Sequence, residues 1–106
     1  MSKRLAFLEK ITAGGSDDPM AWYGLAMEYR TLGRVDDALK AFEALRAKTP
    51  DYVAMYLMCG EMLKDKGDVA SAREWLTAGV ETATRKRDTH ALGELESALG
   101  GLERLG

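Results

Sequence analysis

Apolar residues recur at helical spacing along nearly the whole chain, and turn-forming residues divide the pattern into segments. In SKRLAFLEKITA, residues 2–13, Leu5, Leu8 and Ile11 fall near one face, and Ala6 and Phe7 widen the apolar arc. GGSDD then breaks the pattern. Asp18 suits a helix N-cap and Pro19 the first helical position, where a missing N–H forfeits no intrahelical bond. A second helix is therefore expected from Pro19 to Leu32, with Trp22, Leu25, Ala26 and Tyr29 as its stripe and Gly33 ending it. The third, Val35 to Lys48, carries Ala38, Ala41, Phe42 and Leu45, and Thr49-Pro50-Asp51 stops it because the residue before proline is pushed out of the helical region. A fourth should run from Tyr52 to Lys66, with Tyr56, Cys59, Gly60 and Leu63 on one face and Gly67 after it. The fifth starts near Val69, carries Ala72, Trp75, Leu76, Val80 and Ala83, and reaches about Thr84. RKRD reads as a polar junction. A sixth helix is expected from Asp88 to Leu99, with Ala91, Leu92, Leu95 and Ala98 or Leu99 facing inward; Gly100 and Gly101 weaken its end, and LERL has room for a last turn.

Two of these helix pairs superimpose on each other at a fixed offset of 34 residues: Gly33 on Gly67, Ala38 on Ala72, Trp22 on Tyr56, Phe42 on Leu76 and Val35 on Val69. A period of this length is the sequence sign of stacked helical hairpins. The glycines fall where a tight helix-to-helix turn needs a left-handed backbone. Ala26 opposite Ala38 lets two antiparallel helices approach closely. A single hairpin cannot bury its own stripe, so neighbouring hairpins and flanking helices are expected to complete the core.

Residue for residue, the chain resembles the tetratricopeptide repeat family, whose 34-residue unit runs tryptophan, leucine, small residue, tyrosine, glycine, alanine, aromatic, proline. The first unit supplies Trp22, Leu25, Ala26, Tyr29, Gly33, Ala38, Phe42 and Pro50. The second supplies Tyr56, Cys59, Gly60, Leu63, Gly67, Ala72 and Leu76, with cysteine standing for leucine, leucine for tyrosine and Gly79 for the usual alanine. The resemblance implies an all-α fold, an alpha-alpha superhelix of stacked antiparallel helical hairpins with about six helices. It implies one domain over residues 1–106: a leading helix at 2–13, repeats at 19–50 and 52–86, and a C-terminal capping helix at 88–105. It also implies a concave groove for a peptide or protein segment, lined by the first helix of each unit. Carried over, the groove residues are Met20, Tyr23, Met27, Arg30 and Thr31, then Ala54, Leu57, Glu61, Lys64 and Asp65. Tyr23, Met27 and Leu57 would form an apolar floor and Arg30, Glu61, Lys64 and Asp65 a charged rim, suited to an amphipathic helix or an extended apolar segment. Some members clamp a partner's C-terminal carboxylate with basic residues and asparagine. This chain has Tyr23, Met27, Leu57 and Glu61 at those places and no asparagine, which argues against that clamp.

Composition narrows the remaining chemistry. The 106 residues suffice for one modest core. With 15 basic and 17 acidic side chains the net charge is -2, unlike the basic face of a nucleic-acid binder. The one basic run, Arg85 to Arg87, falls near a helix C-terminus, where positive charge is locally favoured; nucleic acid or an anionic surface is the alternative reading. The single cysteine, Cys59, has no internal disulfide partner and reads as a small buried hydrophobe. His90 faces Glu94 one helical turn on and lacks the ligand set of a metal site. No catalytic constellation, cofactor motif, leader peptide or apolar run of membrane-spanning length is present, so a cytoplasmic, non-catalytic interaction scaffold is expected. Self-association, through the groove or through the terminal helices at Phe7 or at Leu99, Leu102 and Leu105, is the competing expectation, giving a homodimer.

Overall fold

The computed structural model describes residues 2–105, and every regular element among them is a helix: α1 Lys3–Ala13, α2 Pro19–Thr31, α3 Val35–Lys48, α4 Ala54–Lys66, α5 Val69–Lys86 and α6 Thr89–Leu105. The bounds of α3 are those expected from sequence. α4 starts two residues late because residues 50–53 form a turn, in which the Tyr52 N–H donates to the Thr49 carbonyl at 3.1 Å. α6 continues past Leu99 through Gly100 and Gly101 to Leu105, because Leu102 is fully buried and anchors the last turns. Side-chain caps fix several starts: Asp18 accepts from the Met20 N–H, Asp68 from the Ser71 N–H and Asp88 from the Ala91 N–H. Those bonds satisfy backbone donors that the helix itself leaves without partners.

The chain divides into two compact units, Met1–Tyr52 and Val53–Gly106. In the first, α2 and α3 form an antiparallel hairpin, and α1 packs on α2. Ala26 and Ala38 are fully buried, as close helix approach requires, with Leu25, Ala41, Phe42 and Leu45 completing the hairpin core. The buried stripe of α1 is Leu5, Leu8 and Thr12; Ile11, expected in the stripe, is only half-buried. Thr12 takes the inner position because its hydroxyl donates to the Leu8 carbonyl at 2.8 Å, leaving no unpaired polar atom.

Trp22 and Tyr29, expected as core residues, are half-buried instead. Each ring carries a polar tip that needs a partner. The Trp22 indole N–H donates to the Ser16 carbonyl at 2.7 Å, and Lys48 Nζ lies 5.5 Å from the ring centre. The Tyr29 hydroxyl donates to the Glu9 carboxylate, tying α1 to α2, and the Arg34 guanidinium sits 4.6 Å over the ring. Burial and, after it, the bond to Glu9 push the Tyr29 phenol from 10.0 up to about 12, against the opposing charge of Arg34. Between those pH values the folded chain keeps a proton that the unfolded chain has released, so this contribution to stability is complete below pH 10 and is lost as pH rises towards 12. Urea unfolding at a series of alkaline pH values should therefore show the wild-type advantage over Tyr29→Phe shrinking across that window; a constant gap would contradict it.

In the second unit, α5 packs on both α4 and α6, and α4 also meets α6. The core holds Tyr56, Cys59, Leu63, Ala72, Leu76, Ala83, Leu95 and Leu102, together with Met55 and Met62, which fall outside the stripe expected from sequence. The Tyr56 and Trp75 rings are tilted against each other with centres 5.9 Å apart. Gly67 closes α4 at φ 96°, and its N–H bonds back into the helix; any side chain there would be strained. Arg87 occupies the corresponding left-handed cap of α5 at φ 57°, without glycine's freedom. Gly60 and Gly79 serve packing. A Cβ on Gly60 would lie 2.6 Å from two carbons of Leu76, and one on Gly79 would lie 2.6 Å from Tyr56 Cβ and 2.7 Å from a Leu95 methyl.

Candidate binding faces

Each unit presents a leading-helix face built from the residues expected to bind. On α2, Met20 is 70% exposed, Thr31 is exposed, and Tyr23, Met27 and Arg30 are half-buried. Tyr23 is held from two sides: its ring meets Phe42 edge-on at 6.5 Å and Tyr52 at 5.2 Å between centres. Burial raises the Tyr23 phenol, Tyr52 adds to that, and Arg30 opposes it, so the hydroxyl is a neutral donor and acceptor at neutral pH. Tyr52 was not among the expected face residues. It sits beyond the end of α3, where the sequence pattern assigns it to the start of α4 rather than to the face of α2.

On α4, Ala54 and Asp65 are exposed, and Leu57, Glu61 and Lys64 are half-buried, with Lys64 Nζ 4.0 Å from Asp65 Oδ1. Leu57 and Glu61, one turn apart, form one wall of an open cleft of about 590 Å³. The other wall belongs to α6: Thr89, His90, Gly93, Glu94, Ser97 and Ala98. α6 had been expected as a cap. In the second unit it packs on α5 and meets α4, and the cleft lies between α4 and α6. Leu95 follows Cys59 by 36 positions, and the same offset sets His90, Gly93 and Ser97 on Ala54, Leu57 and Glu61. Two extra residues beyond the 34-residue period hide this in the sequence. They fall between Gly67 and Leu95, where α5, at 18 residues against the 14 of α3, is followed by a shorter turn.

The other candidates fall as follows. His90 is 89% exposed at its side chain, with Nε2 3.2 Å from Glu94 Oε1. Cys59 is fully buried. Arg85 and Lys86 form the last turn of α5 and Arg87 its cap, at the negative end of the helix dipole. Of the hydrophobic residues considered for self-association, Phe7 is 61% and Leu105 66% exposed, Leu99 is half-buried and Leu102 has no exposure. No group of three or more metal-ligating side chains comes together among the described residues, and no helix there is long and apolar enough to cross a membrane.

With this geometry in place, known proteins show what the chain is similar to. Residues 23–87 match the profile described as tetratricopeptide repeat. A TPR repeat-containing protein of Pseudomonas aeruginosa is 30% identical over 97 residues, which span 92% of each chain. Among solved structures, the crystallised tetratricopeptide repeat domain protein of Salinibacter ruber is 30% identical, with a TM-score of 0.78 over 84% of this chain and 100% of that one. A Bordetella parapertussis protein solved in solution is 28% identical, with a TM-score of 0.83 over 98% of this chain and 90% of that one. The type III secretion translocator chaperone of Yersinia enterocolitica reaches 0.85 over 93% of this chain and 69% of that one, at 17% identity, a likeness of fold alone. All fit an all-α superhelix of helical hairpins.

Proposed function

The chain belongs to the tetratricopeptide repeat family, a family of protein-interaction scaffolds, and on that premise we propose that it binds a segment of a protein partner, without catalysis, on its leading-helix faces. The observation that carries this reading is the cleft between α4 and α6, where Leu57 supplies an apolar wall beside the small residues Gly93, Ser97 and Ala98. A half-buried aliphatic side chain next to open space buries further area when a partner side chain enters, at about 25 cal/mol per Å² removed from water. In the first unit, Tyr23 offers the same service with a ring already immobilised by Phe42 and Tyr52, so little side-chain entropy is lost on binding. Met20 and Met27 add adaptable contact area beside it.

The test is affinity capture with the wild-type chain, followed by titration of the recovered partner against single variants. Leu57→Arg and Tyr23→Glu should each weaken binding by at least about tenfold, as loss of a central anchor does, while the helical circular dichroism is retained. A partner that binds both variants as tightly as the wild type uses some other surface.

A further inference from the structure

The cleft between α4 and α6 carries a charge pattern that narrows its ligand. Its titratable lining groups are Glu61 from α4 and His90 and Glu94 from α6, and no lysine or arginine lines it. No ion pair or hydrogen bond engages the Glu61 side chain among the described residues, although it is half-buried. Glu94 has His90 at 3.2 Å, a contact with charge on both sides only when the imidazole is protonated. Two carboxylates that line one open cleft, with no lysine or arginine beside them, present it to an incoming cation with matching charge. The space suits a long side chain: Gly93 adds none of its own, Ser97 and Ala98 are short, and Leu57 offers an aliphatic wall for a methylene stem.

Resting on the segment-binding reading above, we propose that this cleft selects a segment bearing a lysine or arginine. The stem of that residue lies along Leu57 and Ala98, and its charged head is received by Glu61 and Glu94. The arrangement is opposite in sign to a site for a terminal carboxylate, which would need cationic side chains where this cleft has glutamates.

The probes are three short capped peptides, acetyl-Ala-Leu-Arg-Ala-amide, the same peptide with citrulline for arginine, and the same with glutamate, each titrated into the isotopically labelled full chain. The readout is the backbone amide shifts of Glu61, Gly93, Glu94 and Ser97. The arginine peptide should move these signals saturably, with the neutral citrulline peptide about tenfold weaker, the scale of one charged hydrogen bond, and the glutamate peptide weaker still. Glu61→Gln and Glu94→Gln should each erase most of the preference for arginine over citrulline, and added salt should reduce it. Equal affinity for arginine and citrulline overturns the charge selection and leaves segment binding at the cleft intact. If none of the three peptides moves these four signals, the cleft is not a segment site: the proposal falls, and with it segment binding at the cleft, while the α2 face is judged by Tyr23→Glu. If Glu61→Gln and Glu94→Gln leave the arginine preference unchanged, the cation is received elsewhere and the proposal is wrong.

Discussion

Phe42→Ala will lower the free energy of unfolding by about 3–5 kcal/mol, the usual range for truncating a buried phenylalanine. The side chain has no solvent exposure and is among the largest fully buried in the molecule. It stands on α3 against the edge of Tyr23, so its removal leaves a void under the face of α2 as well as in the hairpin. A chain of this size has a total stability of about 5–15 kcal/mol. The loss is therefore a large part of the whole, and thermal midpoints should fall by more than ten degrees at roughly 4–8 °C per kcal/mol. Urea denaturation measures it directly. Phe7→Ala is the matched control, because Phe7 is 61% exposed and should change stability by no more than about 0.5 kcal/mol. If the two variants unfold alike, Phe42 is not the keystone of the first hairpin.

Gly79→Val will cost about 3 kcal/mol in the second unit, through excess volume where Phe42→Ala removes it. The first added carbon would already lie 2.6 Å from Tyr56 Cβ and 2.7 Å from a Leu95 methyl. Tyr56 cannot yield, since its Cβ is bonded to the backbone of α4, and Leu95 is 1% exposed. Overpacking of a tight core costs about 1–3 kcal/mol for modest additions, and two further methyl groups take this case to the upper end. Replacing glycine inside a helix returns only a few tenths of a kcal/mol when the newcomer is β-branched. Gly93→Ala makes the contrast: no atom lies within 4 Å of its added Cβ, so the gain in helix propensity, about 0.5–1 kcal/mol, should appear as stabilisation. A Gly79→Val midpoint that holds or rises, as that of Gly93→Ala should, would show that α5 does not need its glycine.

Much of the fold was legible in the sequence, and the exceptions have physical causes. The helices announce themselves through periodicity, and the offset between Gly33 and Gly67 marks the repeat because only a turn with positive φ calls for glycine at both places. The start of α4 was read two residues early, since Tyr52 and Val53 continue the apolar pattern while their backbone is still turning. The buried place of Thr12 was missed because periodicity counts a hydroxyl as polar, and only the structure shows it paired with the Leu8 carbonyl. Trp22 and Tyr29 were assigned to the core by residue type, whereas their polar tips hold them at its edge. On the candidate faces, α2 and α4 follow from the repeat register, each by its own helix. The α6 wall of the cleft does not follow, because α5 overruns the period and displaces that register by two residues. His90 was read as facing Glu94 one helical turn on, and the structure places the two 3.2 Å apart; its place in the cleft wall was hidden by the same shift.

The two tryptophans are divided between the units, Trp22 in the first and Trp75 in the second. Trp75 is 6% exposed, while Trp22 keeps a partly wet ring beside a lysine ammonium. Each half of the molecule thus carries its own optical probe, with a distinct emission environment. In a chain with one indole replaced by phenylalanine, fluorescence follows the melting of one half only, and its agreement with circular dichroism tells whether the halves come apart together or in turn.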